Sequence, residues 1–182
     1  MSERGDILLR LARERIEHEL LGAPVTAPVA DWLATPAATF VTLTHAGKLR
    51  GCMGSLQAYR ALRDDVQANA LAAAFRDPRF LPVSAGELNQ LRVEVSLLSP
   101  PETLSFDSEA DALAQLRPHQ DGVILHLGRQ HATFLPQVWE QLPQPQEFMA
   151  QLKCKAGLPA DFWSDEIRLE RYGVQKWSEQ ND

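Results

Sequence analysis

The feature that most constrains the fold is a pair of strand-like segments joined by a short turn. Residues 39–44 alternate apolar and polar side chains, residues 45–48 (HAGK) are typical of a turn, and residues 49–56 read as a second extended arm. Two such arms form an antiparallel hairpin. The second arm begins with LRGCMG over residues 49–54, in which a guanidinium and a thiol stand two residues apart. The hairpin therefore presents reactive side chains on a sheet.

Arg50 and Cys52 are expected on one face, because residues two apart in a strand point the same way. A nearby cation favours the thiolate form of cysteine. Gly51 and Gly54 leave the backbone open to close approach, either by a ligand or by a packed helix. Two alternatives stay open. The thiol is a nucleophile, redox group or ligand contact in an electropositive crevice, or it is a small buried cysteine whose neighbouring arginine pairs with an acid.

The rest of the chain predicts an α+β fold. Helices are predicted over residues 3–21, 59–75, 108–116, 138–142 and 146–155, and further strands over 91–99, 123–127, 131–134 and 167–174. Hairpins with intervening helices, without a regular strand-helix-strand alternation, favour a largely antiparallel sheet packed with helices. We expect one domain over residues 1–182, with a larger part and a smaller subdomain at about 100–160, after the break at Pro100-Pro101.

Glu94 and Ser96 lie on the polar face of the clearest predicted strand, residues 91–99. If that strand joins the sheet that holds LRGCMG, Glu94 could pair with Arg50 or act as a general base. The alternative is a strand face that is simply open to solvent, which antiparallel sheets often have.

Arg76 and Arg79 follow the predicted end of the helix over 59–75. Two guanidiniums at one place suit the binding of a carboxylate or a phosphate. The alternative is a solvated helix end, in which Asp77 arranges the turn and Phe80 packs as an anchor.

Several other classes of site find no support in the sequence. His45 lies beside the motif, and His126 and His131 flank the second hairpin, but their spacing fixes none of them near Cys52. No spaced set of metal ligands is present, so we predict no metal site. The phosphate-binding loop, the dinucleotide fingerprint and the serine nucleophile elbow are all missing, and the sequence leaves the cofactor unknown.

Composition sets outer bounds on partners and location. The formal net charge is -6 and no lysine- or arginine-rich block occurs, which argues against a nucleic-acid interface. No apolar run approaches the ~20 residues of a membrane-spanning helix, and the first residues lack the pattern of a signal peptide. Cys52 and Cys154 lie far apart and read as free thiols. We therefore expect a cytoplasmic protein without membrane association.

Four sequence blocks together resemble the AMMECR family. They are LRGCMG over 49–54, AAFRDPRF over 73–80 with Pro82, VEVSLL over 93–98 and FLPQVW over 134–139. They occur in the family's order, and the resemblance covers about residues 3–175. In bacteria and archaea such chains are called AmmeMemoRadiSam system protein A.

The resemblance implies an α+β fold with a larger and a smaller part and a groove between them. It also implies genomic association with a Memo-like protein and a radical SAM protein. This chain lacks the radical SAM cysteines, so it would be the non-radical member. We therefore expect an accessory or substrate-handling protein. Its small anionic ligand would be bound by residues of the motif and its surroundings, namely Arg50, Gly51, Gly54, Arg76, Arg79 and Ser96, with Cys52 lining the groove.

Two other functions stay open at this stage. One is a thiol-dependent enzyme in which Cys52 reacts, with Arg50 and Glu94 as further catalytic residues. The other is a protein-interaction scaffold that uses its acidic surface and exposed tryptophans. The sequence does not distinguish an enzyme from a binding protein.

Overall fold

The structure is a computed structural model that describes residues 2–179. Its α-helices are α1 (Glu3–Leu21), α2 (Leu62–Phe75), α3 (Glu109–Gln115) and α4 (Pro145–Lys155), and short 3-10 helices cover Asp31–Ala34, Ala85–Gln90 and Pro136–Glu140. Its strands are β1 (Ala38–His45), β2 (Lys48–Gly54), β3 (Leu91–Leu98), β4 (Glu102–Thr103), β5 (Gly122–Leu127), β6 (Gln130–Phe134), β7 (Arg168–Tyr172) and β8 (Val174–Ser178).

The strands form two four-stranded sheets with the orders β2-β1-β3-β8 and β4-β7-β5-β6. Strand β1 pairs antiparallel with β2 and β3, and β7 and β5 pair antiparallel with their neighbours in the second sheet. The predicted α+β class with largely antiparallel pairing is confirmed. The chain divides into two compact units, the first made of residues up to Leu98 and from Gln175 onward, the second of Ser99–Val174.

In the first unit, α1 and α2 pack against one face of the β2-β1-β3-β8 sheet. Ser2 caps α1 by accepting a hydrogen bond from the Gly5 amide, and Gly22 ends it with φ = +69°, as the pattern over 3–21 predicts. Helix α2 is shorter than the predicted 59–75. The residues before Leu62 are held instead against the chain around Thr35: the Leu62 amide donates to the Thr35 carbonyl at 2.9 Å, and Ala37 donates to Arg60 at 3.2 Å.

Helix α2 and strand β2 touch backbone to backbone at Gly51. A Cβ atom added at Gly51 would lie 2.1 Å from the Ala73 carbonyl oxygen of α2. The helix face that makes this approach consists of small buried residues, Ala70, Ala73 and Ala74. Glycine at position 51 is thus explained by helix packing, one of the two alternatives that the sequence left open.

The other end of α2 is attached to the hairpin by a buried carboxylate. Asp65, which is fully buried, accepts hydrogen bonds from the Thr39 amide at 2.8 Å, the Ser55 hydroxyl at 2.8 Å and Arg60 Nε at 2.7 Å. Asn69 adds a hydrogen bond to Asp65 at 2.9 Å and another to the Thr39 carbonyl at 3.0 Å. These bonds satisfy the buried polar groups and fix where each hairpin strand meets the helix.

The second unit has a core of its own, centred on Trp139 and Phe148, whose rings stack at 3.7 Å. The helix predicted over 138–142 is the 3-10 helix Pro136–Glu140. The strand predicted over 167–174 is observed as β7, which ends at Tyr172. The chain is interrupted at Gly173, which bonds to Ser99, and Val174 begins β8 of the other sheet.

Within residues 2–179, no helix combines the length and the apolar character that a bilayer span requires. The four tryptophans, on which the scaffold alternative relied, are not exposed: Trp139 is buried, and Trp32, Trp163 and Trp177 are half-buried.

We predict that Gly51→Ala destabilises the protein by about 1–3 kcal/mol or more, since the new methyl group has no room beside the Ala73 carbonyl. Urea unfolding measures the loss. Gly86→Ala is the matched control, because nothing lies within 4 Å of a Cβ at that position. Equal stability of Gly51→Ala and wild type would contradict this packing.

Candidate functional site

The LRGCMG motif lies on β2, an edge strand of its sheet, and contains a β-bulge. Leu43 of β1 pairs with Gly51, but Thr44 pairs with Leu49, so Arg50 is the extra residue. A bulge interrupts the alternation of side chains along a strand. The side-by-side placement of Arg50 and Cys52, expected from a regular strand, therefore does not follow from the observed register.

Arg50 is engaged by the segment that follows α2. Its Nε and Nη2 donate to the Glu87 carboxylate at 2.7 and 3.2 Å, and its guanidinium also donates to the carbonyls of Leu81 at 2.9 Å and Pro82 at 3.3 Å. Only 16% of its side chain is exposed. The hydrogen bonds from Arg50, joined by those from Ser84, lower the pKa of Glu87 to about 2. Arg50 thus fastens residues 81–87 to β2.

The pairing of Arg50 with Glu94, which the sequence suggested, is not formed. Strand β1 lies between β2 and β3, which keeps Glu94 one strand further away than the pairing needs. The Glu94 carboxylate instead meets Lys176 at 3.2 Å and accepts a hydrogen bond from the Ser178 hydroxyl at 2.8 Å. Ser96 also lies on β3, opposite Phe40, and is buried.

Asp77 is the centre of the candidate site. Its side chain is 2% exposed, and its Oδ2 accepts a hydrogen bond from the Cys52 amide at 2.9 Å, on the unpaired edge of β2. Oδ2 also accepts a hydrogen bond from Arg79 Nη2 at 2.7 Å, and Oδ1 accepts one from Arg79 Nε at 3.0 Å. The hydrogen bonds from Arg79 and then from the backbone hold the pKa of Asp77 well below its usual range, against the opposing effect of burial.

The cation held beside Cys52 is therefore Arg79. Its guanidinium and the Cys52 amide share one carboxylate oxygen, which places the two groups next to each other. The hydrogen bonds to Asp77 raise the pKa of Arg79, and the Cys52 sulfur adds a smaller contribution. Although Arg79 is fixed at one end, 54% of its side chain is exposed.

The Cys52 thiol is half-buried and accepts a hydrogen bond from the Thr42 hydroxyl at 3.3 Å. Thr42 is directly opposite Cys52 in the register of β1 and β2. Phe80 lies close to both arginines, with its ring centre 5.5 Å from Arg79 Cζ and 6.0 Å from Arg50 Cζ. The site thus combines a thiol, a hydroxyl, an exposed guanidinium and an aromatic ring.

The remaining predicted site residues are placed differently. Gly54 is exposed, and a Cβ there would meet the Phe40 ring at 2.3 Å. Arg76 is exposed and lines a separate groove with α1. Among residues 2–179, no hydrogen bond or ion pair joins Arg76 to Cys52, Asp77 or Arg79.

The histidines do not reach the thiol within the described part of the chain. His126 bonds to Glu170 at 2.7 Å in the second unit and His18 to the Ala23 carbonyl at 2.8 Å, and no hydrogen bond joins a histidine to Cys52. The same residues contain no group of three or more ligands suited to a metal ion.

Sequence reasoning missed Thr42 and Glu87 as partners of the motif and assigned Asp77 only to a turn. Glu87 lies three residues after Ser84, which is the signature of a capping box, and the structure has that box. The spacing could have identified Ser84 and Glu87 as a local pair. The contact between Glu87 and Arg50 spans 37 positions, and no local pattern indicates it.

Comparison with known proteins shows the family. The AMMECR1 family profile matches residues 9–177. The chain belongs to the AMMECR1 family. A family relative in Methanothermobacter thermautotrophicus is 37% identical over 186 residues, covering 97% of this chain and 95% of the relative. Protein MJ0810 of Methanocaldococcus jannaschii is 33% identical, with 97% and 90% covered.

The AMMECR1 fold is also seen in a crystal structure, that of PH0010 from Pyrococcus horikoshii. The two structures agree with a TM-score of 0.83 at 32% identity, over 99% of this chain and 93% of PH0010. None of these three relatives carries a name that states an activity, so membership of the AMMECR1 family leaves the reaction open.

The contact between Arg50 and Glu87 generates a pH-dependent prediction. The pKa of Glu87 is lowered in the folded state, so its contribution to stability is present above the ordinary value near 4.5 and is lost as the pH falls towards about 2. At pH 6, Glu87→Gln should cost roughly 1 kcal/mol. The difference from wild type should shrink progressively below about pH 4.5.

Urea unfolding at several pH values measures this difference. Glu140→Gln is the control, because Glu140 is exposed and forms no ion pair within residues 2–179. A difference between wild type and Glu87→Gln that stays constant from pH 6 to about pH 2 would show that Glu87 is not held by Arg50.

Proposed function

We propose that this chain is a substrate-handling component of a radical SAM and Memo-linked modification system, and that Arg79 beside Cys52 holds an anionic group of the substrate. One observation carries the proposal: the buried Asp77 carboxylate holds both the Cys52 amide and the Arg79 guanidinium, while more than half of the Arg79 side chain stays exposed. A fixed and accessible guanidinium is suited to a carboxylate or a phosphate.

The donors of Arg79 are divided between the protein and the solvent. Nε and Nη2 bind Asp77, whereas Nη1 has no hydrogen-bond partner within residues 2–179. In this proposal Nη1 contacts the anion, and the Cys52 thiol and the Thr42 hydroxyl line the same place. The bond from Thr42 to the sulfur keeps the thiol oriented.

The proposal gives the other predicted ligand-binding residues supporting roles. Arg50 is a positioning residue, because its donors are used by Glu87 and by two carbonyls of the segment that carries Arg79. Gly51 and Ser96 are buried and support the site through packing, whereas Gly54 lies against the Phe40 ring. Arg76 faces another groove and does not contact the ligand.

A thiol-dependent enzyme is the second candidate, and one observation favours it. The Thr42 hydroxyl donates to the Cys52 sulfur, and the Arg79 guanidinium shares a carboxylate oxygen with the Cys52 amide, so a hydrogen-bond donor and a cation lie beside the thiol. Glu94, the other predicted catalytic residue, is engaged by Lys176 and Ser178. A reactive thiol would therefore depend on Arg79 and Thr42.

The rate at which iodoacetamide alkylates Cys52 tests the proposal, with inorganic phosphate as the probe. Phosphate bound to Arg79 would cover the sulfur and place a negative charge beside it, so the rate should fall about threefold or more at constant ionic strength. Cys154, which is exposed, is the internal control and should react at an unchanged rate.

Arg79→Ala should abolish the effect of phosphate, whereas Arg129→Ala, which removes an exposed arginine in the turn between β5 and β6, should retain it. Equal protection by phosphate in wild type and Arg79→Ala would contradict an anion site at Arg79. The pH profile of the same reaction addresses the second candidate: a thiol that titrates at or above ~8.5 is not an activated nucleophile.

A further inference from the structure

A second surface of the first unit combines exposed apolar side chains with a groove. Among the large apolar side chains, Leu81 is one of the most exposed, at 84%, and Leu21 at the end of α1 is exposed at 61%. Isolated exposed leucines are common on soluble proteins. Leu81 differs because several hydrogen bonds hold the backbone of the segment that carries it.

The fastened segment comprises residues 77–84. The Phe80 amide donates to the Asp77 carbonyl at 3.1 Å and the Val83 amide donates to the Ala74 carbonyl of α2 at 2.8 Å. Arg50 holds the Leu81 and Pro82 carbonyls, as described above. The segment thus presents an apolar side chain to water on a fixed backbone. Such preorganisation lowers the backbone entropy that is lost when the segment binds a partner.

A groove of about 360 Å³ lies directly beside this segment. Its walls are mostly apolar and come from α1, α2 and the segment itself: Leu20, Leu71, Phe75, Pro82 and Val83. Two side chains of opposite charge, Glu19 and Arg76, complete the lining. Glu19 is half exposed and forms a surface ion pair with Arg15 at 3.2 Å, while Arg76 forms no ion pair within residues 2–179.

We propose that this surface joins two copies of the chain, with Leu81 of each copy seated in the groove of the other. A two-fold interface uses the same surface of both copies, so one in which a side chain enters a recess needs the projection and the recess on that one surface. Leu81 and the groove meet this requirement, because Pro82, the residue after Leu81, forms part of the groove wall. The groove also carries one charge of each sign, so a two-fold axis can place Arg76 of one copy against Glu19 of the second copy.

The two opposite charges in this groove, and not the net charge of the chain, support a second copy as the occupant. The chain has a net charge of -6, so two copies repel each other at most orientations. The lining of this groove is neutral in sum, with one carboxylate and one guanidinium, and apposition of these groups is locally attractive. This proposal uses neither Cys52 nor Arg79 and is independent of the anion site.

Sedimentation velocity of the full chain over about 1–200 µM tests the proposal. Wild type should approach twice the monomer mass of 20.3 kDa at the upper concentrations. Leu81→Asp should weaken association at least tenfold, because a carboxylate would have to enter an apolar groove. Val29→Asp is the matched control: Val29 is 82% exposed in the loop that follows α1, and the variant should dimerise like wild type.

A charge exchange distinguishes this interface from any other dimer. Glu19→Arg and Arg76→Glu should each weaken association several-fold, and the double variant should recover it, because the opposed pair is restored with its signs reversed. A monomeric wild type at about 200 µM would overturn the proposal. So would equal weakening by Leu81→Asp and Val29→Asp, or a double variant weaker than both single ones. Circular dichroism confirms that each variant is folded.

Discussion

The backbone contact between α2 and β2 at Gly51 is the constraint on which the candidate site depends. Because position 51 has no side chain, the Ala73 carbonyl of α2 approaches β2 directly. The helix ends at Phe75, so the next residues emerge at the unpaired edge of β2. This position allows the Asp77 carboxylate to accept a hydrogen bond from the Cys52 amide. A larger residue at position 51 would displace the helix and, with it, the carboxylate that organises the site.

Two arginine-carboxylate pairs then fix the residues that follow the helix. Arg79 donates two hydrogen bonds to the Asp77 carboxylate, and Arg50 donates two to the Glu87 carboxylate. Arg50 also donates to two backbone carbonyls of the segment between Asp77 and Glu87. Charged hydrogen bonds of this forked kind combine strength with a defined direction. The first pair leaves a guanidinium open to solvent beside a thiol, and the arginine of the second pair holds the backbone that carries the exposed Leu81. One short segment thus supplies both proposed binding surfaces.

The sequence predicted those parts of the molecule that local patterns encode. The first helix, the hairpin around LRGCMG and the strand of VEVSLL follow from periodicity, capping and turn residues, and the AMMECR resemblance from the order of the blocks. Contacts between residues far apart in the sequence could not be predicted from local patterns. The bulge at Arg50 and the contact between Arg50 and Glu87 arise when β1 and the segment after α2 meet β2. Pairing Arg50 with Glu94 failed because strand order, which no local pattern encodes, separates them.

The central claim is that the guanidinium fixed by Asp77 at the Cys52 amide binds an anion. Nitrogen-15 NMR during titration with inorganic phosphate, at constant ionic strength, tests it most directly. The account predicts saturable shifts at the Cys52 amide and the Arg79 amide and Nε-H, because both residues bond to the same carboxylate. Shifts that do not saturate at these positions, or that saturate only elsewhere in the chain, would contradict it.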